Sequence, residues 1–451
     1  MSVPLLIISD APTAGTGLAR ITKDLATRIA EHMPEVFRVA TIGYGGSYTR
    51  SLPFPQYNWV PNKDWIVYEL PEIWKDFAGD EKGIVMTIWD ASRLLWFSRP
   101  ENCADRALQK FLQNRSFKTW GYFPIDATGP NDRLTAVLGH IIDGYDRVLA
   151  YSKWAEGILH RTLPARTDIE SLPHGIDTSV FTPRPRVQAR HSFGARIHAF
   201  KPDGRMLSIA DDAFMIGIVA TNQARKDYGL GIQVAAEIAK KIPVTLWIHT
   251  DTLERHWSIP ALLNDFNFLN NTVITCVPLT DEQMSWCYSA CDVTLGIGLG
   301  EGFGYPIFES LACGTPCIHG DSGGAAEHMN EHLRVGTVRN ENSCARPIYR
   351  LEGVYNCCRP VFDAEEWASR IDCVMDDEMK ISLPPHLDWN NLWPRWEEWL
   401  SKGIHGSRNC VHCRVPEHSH DVVTTHPFTP VPGGWKTTSP EHMGSHIKRE
   451  D

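Results

Sequence analysis

Short apolar runs alternate with amphipathic stretches along most of the chain, and this alternation restricts the fold more than any other feature of the sequence. Residues 3–9 form an apolar run of strand length, a glycine-containing loop follows, and residues 18–32 show the spacing of an amphipathic helix. A strand, a loop and a helix in this order form the repeating unit of α/β folds with a parallel sheet. The sequence therefore predicts an α/β protein built on parallel sheets.

The alternation occurs in two blocks, which a proline-rich and arginine-rich stretch separates. In the first block, further strands are predicted at 36–42, 83–89, 117–123 and 147–151, and helices at 105–113, 133–142 and 153–161. In the second block, strands are predicted at 214–220, 244–249, 273–276, 293–295 and 316–319, and helices at 227–241, 281–290, 306–313 and 364–376. Each block is long enough for a complete doubly wound sheet, so two Rossmann-like domains are expected.

The segments around these blocks complete the division of the chain. The predicted segments are a first domain at 1–182, a linker with a basic insertion at 183–213, a second domain at 214–385, a tryptophan-rich helix at 386–402 and a tail at 403–451. The basic insertion has two interpretations, a solvated loop or a loop that binds a polyanion. The tail shows little periodicity and indicates a poorly ordered segment or a small appendage.

The tail also contains a partial zinc pattern. Cys410 and Cys413 are two residues apart, and His418 and His420 follow them. The histidines are closer together than in a zinc finger, so a structural zinc site and a metal-free tail are both open interpretations.

Composition excludes several classes of protein. No run of 18 apolar residues occurs, and no basic segment precedes the first strand, so neither a membrane span nor a signal peptide is predicted. The 12 cysteines lack the spacing of a disulfide framework and are expected to be reduced thiols, which favours a cytoplasmic location, or the host cytoplasm for a viral protein. The net charge of −10 argues weakly against bulk binding of nucleic acid.

The segment with the most specific pattern is 300–309, which reads GEGFGYPIFE directly after a predicted strand. Glycines at 302 and 304 allow a ligand to approach the backbone closely, and Pro306 fits the first turn of a helix. The amino end of that helix can bind a phosphate. Glu301 and Glu309 could accept hydrogen bonds from hydroxyl groups at the mouth of the cleft, or could be solvated residues of a surface helix.

The continuation LACGTP at 311–316 makes the pattern resemble the donor-site signature of family 4 glycosyltransferases. PHGID at 173–177, NQARK at 222–226, SGG at 322–324 and the glycine loop 15–17 extend the resemblance over about residues 1–400. The resemblance implies the GT-B fold, with two facing Rossmann-like domains and the C-terminal helix 386–402 crossing back onto the first. It also implies that the first domain binds the acceptor and the second binds the donor.

The resemblance implies a role for each matching residue. Glu301 would bind hydroxyls of the transferred sugar and Glu309 the ribose of the nucleotide. Arg225 and Lys226 would hold the donor diphosphate, which fits the need for positive charge where a diphosphate leaves. The remaining donor-site residues are Phe303 and Gly304, through their backbone, and Gly15 and Gly17 in the N-terminal loop.

Two aspartates that follow strands of the first block are candidates for the acceptor side. Asp90 and Asp126 could orient or deprotonate the acceptor hydroxyl, or could cap a helix or turn. Because no Asp-x-Asp occurs, no metal is expected in the active site and no cofactor is expected for catalysis.

The sequence thus predicts a retaining glycosyltransferase, of a compact type like those of bacteriophages, that uses a UDP- or GDP-sugar donor. The expected acceptor is a hydroxyl of a carbohydrate, a lipid-linked glycan or a small metabolite. A second possible acceptor is a hydroxylated base in DNA, which the arginine-rich insertion favours. Two further hypotheses are a sugar-nucleotide epimerase or hydrolase and an inactive nucleotide-sugar-binding module.

Overall fold

The computed structural model describes residues 2–46, 51–59, 62, 65–197, 209–210, 212–339, 349–352, 357–376 and 381–405. The chain divides into a compact unit of residues 1–400 and a second unit of residues 401–451. The predicted zinc pattern at Cys410, Cys413, His418 and His420 lies outside the described residues.

The first sheet is parallel and lies in the N-terminal half. Its strands are β1 (Val3–Asp10), β2 (Phe37–Tyr44), β3 (Gln56–Asn58), β4 (Gly83–Ile88), β5 (Phe117–Phe123), β6 (Arg147–Ala150) and β7 (Glu170–Ser171). The helices between them are α1 (Gly17–His32), α2 (Leu70–Ala78), α3 (Leu95–Ser98), α4 (Arg106–Gln113), α5 (Ala136–Asp143) and α6 (Lys153–Thr162). The strand order β3-β2-β1-β4-β5-β6-β7 changes direction between β1 and β4, where ligands bind in doubly wound sheets.

The second sheet repeats this architecture in the C-terminal half. Two short helices, α7 (Arg186–His191) and α8 (Phe193–Arg196), precede it. Its strands are β8 (Phe214–Val219), β9 (Val244–His249), β10 (Thr272–Thr275), β11 (Val293–Gly296), β12 (Cys317–Gly320) and β13 (Arg334–Val335), in the parallel order β10-β9-β8-β11-β12-β13. The helices are α9 (Tyr228–Ala239), α10 (Ile259–Asp265), α11 (Asp281–Ala290), α12 (Tyr305–Ala312) and α13 (Gly323–Ala326). Strands β14 (Tyr349–Glu352) and β15 (Cys357–Pro360) pair antiparallel, and α14 (Ala364–Asp376) and α15 (Trp389–His405) complete the described chain.

Burial and capping explain why these segments adopt these structures. Seven of the eight residues of β1 are buried, as expected for a central strand of a parallel sheet that helices cover on both faces. The side chain of Thr16 accepts a hydrogen bond from the backbone N–H of Ala19 at the start of α1, and Ser152 caps α6 in the same way. At α11, Thr280 and Gln283 form a reciprocal capping box. Local sequence therefore fixes the helix starts that border the central strands.

The predicted α/β architecture is confirmed, and several elements have the predicted bounds. Strands β5 and β9 and helices α11 and α14 begin and end at the predicted residues. The helix predicted from 133 begins instead at Ala136, because Thr135 provides the cap. The sequence pattern missed β3, α2, β7 and α10, of which β3 and β7 have only three and two residues.

Helix α15 carries the tryptophans of the predicted C-terminal helix. The indole N–H of Trp396 donates to the carbonyl of Pro173 over 2.9 Å. Trp399 packs edge-on against Trp120 of β5 with ring centroids 5.1 Å apart, and the guanidinium of Arg147 lies 3.7 Å from the Trp399 ring centroid. These contacts join the last part of the chain to the first sheet by buried aromatic surface.

The described part of the basic insertion contains two helices, and its two interpretations stay predictions for the remainder. Residues 186–196 form α7 and α8 rather than a solvated loop. Arg190 is buried and pairs with Asp292 at the start of β11, and the guanidinium of Arg186 lies 2.9 Å from the other oxygen of the same carboxylate. The acid is about 100 residues away in sequence, so a search of neighbouring residues could not find it. Lys201 and Arg205 lie outside the described residues.

Replacing Asp292 by asparagine is expected to lower the free energy of unfolding by about 2 kcal/mol, the range for hydrogen bonds to charged groups. The carboxylate serves two arginines and accepts the backbone N–H of Met215 over 2.7 Å, and asparagine cannot keep all three bonds. Chemical denaturation of the purified variant measures the change. Asp321→Asn is the control, because Asp321 pairs with Arg334 on the surface, and a similar loss in both variants would contradict the prediction.

Candidate functional site

The segment 300–309 joins β11 to α12 and places its backbone at the carboxyl edge of the second sheet. Gly304 precedes the helix with a φ of 88°, a left-handed conformation that favours glycine. A Cβ atom at Gly300 would lie 2.0 Å from the carbonyl oxygen of Asp126, so this loop packs directly on the segment that follows β5. Within the described residues no side chain caps α12, and Pro306 lies in its first turn. The amino end of α12 is therefore available to an anion.

Three predicted donor-site residues form one buried charge cluster beside this loop. The carboxylate of Glu301 pairs with the ammonium of Lys226 and lies 3.1 Å from the guanidinium of Arg225. Although burial alone would raise its pKa, the two cations hold the pKa of Glu301 at about 2. Burial and the neighbouring Arg225 lower the pKa of Lys226, and Glu301 opposes that shift. Glu301 is therefore ionised at neutral pH, and its single negative charge is shared by two adjacent positive groups.

The cluster continues across the cleft to the first sheet. The Nε of Arg225 lies 3.2 Å from Asp126, three residues past the end of β5. Arg359 of β15 donates to the backbone carbonyl of Asp126 over 3.1 Å, and its guanidinium is 3.6 Å from the Asp126 carboxylate. The structure thus brings together a predicted donor residue and a predicted acceptor residue.

A small cavity lies between this cluster and α12. Lys226, Glu301, Gly304 and Pro306 are among its lining residues, and its volume is about 10 Å³. That volume is on the order of one water molecule, far below the several hundred Å³ of ordinary ligand sites. A ligand of nucleotide size therefore does not fit into this cavity as it stands.

Glu309 lies deeper than the sequence predicted. It is on the second turn of α12 and is buried rather than exposed at the cleft mouth. The hydroxyl of Tyr288 donates to one carboxylate oxygen over 2.8 Å, and the Nε of Arg20 lies 3.5 Å from the other. Arg20 also pairs with Asp281 over 2.6 Å, so α1 of the first sheet contacts α11 and α12 of the second. Burial raises the pKa of Glu309, and Arg20 opposes that shift.

Phe303 belongs to an aromatic cluster that spans both halves. Its ring centroid is 3.9 Å from that of His174 and 5.3 Å from that of Tyr305. The Nδ1 of His174 is 3.0 Å from the hydroxyl of Tyr122, and burial lowers the pKa of His174 well below its ordinary value. Since the imidazole is neutral and enclosed, the segment 173–177 serves here in packing.

The N-terminal glycine loop lies at the amino end of α1. A Cβ atom at Gly15 would meet no heavy atom within 4 Å, and Gly17 is the first residue of α1, beside the ring of Tyr305. The hydroxyl of Thr16 donates to the Asp10 carboxylate at the end of β1 over 2.6 Å. The loop is therefore near α12, which is compatible with the role in donor binding that its sequence predicted.

Asp90 lies between the other charged residues of the cleft. Arg93 is its nearest basic partner, with 3.9 Å between Nε and the carboxylate. Desolvation by the walls of the cleft raises the pKa of Asp90, Arg93 and Arg225 oppose the shift, and the carboxylates of Asp126 and Asp10 add to it. Asp90 and Asp126 are thus electrostatic neighbours, as their positions after adjacent strands predicted.

Sequence reasoning missed several residues of this site. Asp10 ends β1 and could have been found by the rule that identified Asp90 and Asp126, namely a polar residue at the end of a central strand. Glu327 was not missed, because it belongs to the segment 322–327 that resembles the family's motif; it accepts the backbone N–H groups of Lys153 and Trp154 and so caps α6 from the other half. Arg20 is an ordinary helix residue in the sequence, and only the arrangement of the two halves reveals its contacts.

The described residues contain no group of three histidine, cysteine, aspartate or glutamate side chains that could hold a metal ion. No helix in the described part of the chain is long and apolar enough to cross a membrane.

Comparison with known proteins finds similarities in the second half of the chain. Residues 213–352 match the family described as glycosyl transferases group 1. D-inositol 3-phosphate glycosyltransferase of Pseudarthrobacter chlorophenolicus is 25% identical over 232 residues, covering 50% of this chain and 52% of the relative. GDP-mannose-dependent alpha-(1-6)-phosphatidylinositol monomannoside mannosyltransferase of Mycolicibacterium smegmatis is 24% identical over 234 residues, covering 49% and 53%. The chain spans about half the length of these relatives.

Solved structures resemble the chain over nearly its whole length. Anabaena HepE in complex with UDP and glucose has a TM-score of 0.63 at 13% identity, covering 89% of this chain and 100% of that one. Sucrose-phosphate synthase of Thermosynechococcus elongatus also has a TM-score of 0.63, at 15% identity, covering 90% and 100%. These similarities show the fold. The chain therefore has the GT-B fold, and its residues 213–352 resemble the glycosyl transferases group 1 family.

Proposed function

We propose that this protein is a retaining glycosyltransferase that moves a sugar from a nucleotide-sugar donor to a hydroxyl group. The observation that carries the proposal is the buried cluster of Arg225, Lys226 and Glu301 beside the uncapped amino end of α12. Two adjacent cations and a helix dipole are suited to the negative charge that develops on a departing diphosphate. Anabaena HepE has been solved with UDP-glucose, which supports a donor of this class.

Donor binding would rearrange this cluster. A diphosphate would compete with Glu301 for Arg225 and Lys226, because it carries more charge and more acceptor oxygens. Glu301 would then turn its oxygens to hydroxyls of the transferred sugar, which is the role its position in the motif predicted. No described residue of the site has an established role as a covalent nucleophile. The proposed route to retention of the anomeric configuration is therefore a front-face displacement that the leaving diphosphate assists.

The second possible acceptor, a hydroxylated base in DNA, loses one of its supports. The arginine-rich insertion favoured a polyanion, but Arg186 and Arg190 are paired with Asp292 and Arg196 lies 4.3 Å from the ring centroid of Trp286. Arg190 is buried in the protein's packing, and Arg186, although exposed, is already paired with a carboxylate.

The first experiment measures release of nucleotide from UDP-glucose and GDP-mannose by the purified protein, with and without a cell extract as acceptor. We expect release from one donor that the extract stimulates, and a product with the anomeric configuration of the donor by NMR. Equal release without the extract would instead indicate a hydrolase or an epimerase. Binding without release would indicate a binding module, and either outcome would refute the transferase.

A further inference from the structure

The wall of the cleft opposite the donor residues carries three aspartates at one edge of the first sheet. Asp10 ends β1, Asp90 follows β4 by two residues and Asp126 follows β5 by three. These strands are adjacent in the order β1-β4-β5, so their carboxyl ends meet at the switch point of the sheet. Asp90 is coupled electrostatically to both of the other carboxylates.

The basic residues at this wall are already engaged. Arg93 lies 3.9 Å from Asp90, and its guanidinium is 4.0 Å from the ring centroid of Trp65. Arg359 is buried and holds the backbone of Asp126. Arg225 contacts Asp126 from the donor side, and the diphosphate would take over this cation. With a donor bound, the three carboxylates would face the acceptor. The two arginines at this wall, Arg93 and Arg359, would still contact groups of the protein itself.

A buried hydroxyl points to a ligand at the same place. Tyr151 is only 3% exposed, and its hydroxyl has no hydrogen-bond partner among the residues that the structure describes. Tyr151 directly follows β6, the neighbour of β5, so it lies at the same edge of the sheet as the aspartates, and Asp90 and Asp10 are its electrostatic neighbours. Because a buried hydroxyl without a partner costs free energy, a bound polar group would complete its hydrogen bonding.

The aromatic side of this wall is also unusual. Trp65 has a φ of 58°, a conformation that costs free energy for a residue with a side chain and occurs most often at functional sites. Its ring packs against Tyr44 and Trp89, with centroids 4.8 and 5.7 Å away. The indole supplies apolar area, and the carboxylates supply strong hydrogen-bond acceptors. A sugar or polyol matches both, because its C–H groups can pack on the indole and its hydroxyls can donate to the carboxylates.

We propose that this wall selects an uncharged, hydroxyl-bearing acceptor, a sugar or polyol, and rejects acceptors that carry a phosphate near the reacting hydroxyl. The hydroxyls of the acceptor donate to Asp90 and Asp126, and Tyr151 donates to an acceptor oxygen. Among the described residues of the wall, a phosphate would meet like charges, and the arginines there already contact groups of the protein. This inference rests on the proposed function. The acceptor that it predicts differs from the inositol 3-phosphate and phosphatidylinositol that the names of two relatives specify.

The test separates the acceptor extract by charge. The extract is passed over an anion-exchange column, and the full-length protein is assayed for donor-dependent labelling with the unretained and the retained fractions. We expect the unretained, neutral fraction to hold the acceptor activity and phosphatase treatment to leave it unchanged. Activity only in the retained fraction, whether it is abolished by phosphatase or by DNase, would overturn the proposal. Absence of acceptor-stimulated release in every fraction would refute the proposed function itself, and this inference with it.

A variant of Asp90 tests whether this wall is responsible for the selectivity between acceptors. Asp90→Asn should lower kcat/KM for the neutral acceptor about ten-fold or more, through the loss of a charged hydrogen bond, and leave KM for the donor unchanged. Asp143→Asn is the matched control, because Asp143 pairs with Arg99 on the surface of the same half. Unchanged acceptor kinetics in Asp90→Asn, or an equal change in both variants, would overturn the assignment.

Discussion

Replacing Lys226 by methionine is expected to lower kcat/KM for sugar transfer by about 100-fold or more, the usual effect of removing one group that stabilises developing charge. Methionine keeps most of the length and apolar volume of the lysine stem but removes the positive charge. Glu301 keeps its second partner, Arg225, at 3.1 Å, so no carboxylate is left unpaired and the fold should survive. Steady-state kinetics with the donor found by nucleotide release measures the effect.

Two controls make this expectation specific. Lys240→Met changes an exposed lysine that pairs with Glu237 at the end of α9, and it should leave the rate unchanged. Thermal unfolding of Lys226→Met shows whether the variant is folded. A folded variant with full activity would remove Lys226 from the site and would weaken the proposed role of the cluster.

The sequence was sufficient for the strands and helices whose signals are local. β5, β9 and α11 have the predicted bounds, because their apolar periods are regular and their ends are marked by turn or capping residues. β7 was not predicted, because a strand of two residues is too short to show an alternation of apolar and polar side chains. The glycines of the motif at 300–309 are required by local backbone conformation and close packing, and the role of this loop in donor binding stays a prediction.

Contacts between distant segments could not be predicted from the sequence. Arg20 and Glu309 meet only because the two sheets face each other, and no local pattern encodes that arrangement. The residues next to Arg190 in the sequence do not indicate its partner, because Asp292 lies about 100 residues later, directly before β11. Residue types in a motif therefore predicted which groups matter, whereas their partners and burial depended on the tertiary fold.

The buried pairing of Glu301 has a consequence for stability as well as for catalysis. Replacing Glu301 by alanine leaves the buried Lys226 without its carboxylate partner, whereas the partly buried Arg225 keeps Asp126. Breaking a buried ion pair by removing one partner typically costs about 3–5 kcal/mol, and that loss is expected in the free energy of unfolding. The surface pair of Arg38 and Glu81 supplies the control, since Glu81→Ala should cost less than about 1 kcal/mol.

A double-mutant cycle separates the charge effect from lost packing. In Glu301→Ala with Lys226→Met, the buried cation that lost its partner is gone, so the double variant should be more stable than the sum of the single changes predicts. Strictly additive losses would show that the cost of Glu301→Ala is packing alone.

The same pairing predicts how stability depends on pH. The pKa of Glu301 is about 2 in the folded protein and near 4.5 when it is unperturbed, so the ionised pair stabilises the fold fully above about pH 4.5. As the pH falls from 4.5 towards 2, the unfolded chain binds a proton at this residue before the folded protein does, and the stabilisation is lost. Chemical denaturation of the wild type and of Glu301→Ala should therefore give a constant difference between pH 7 and 5 and a shrinking difference below 4.5. A difference that does not change with pH would mean that the carboxylate is not held ionised by Lys226 and Arg225.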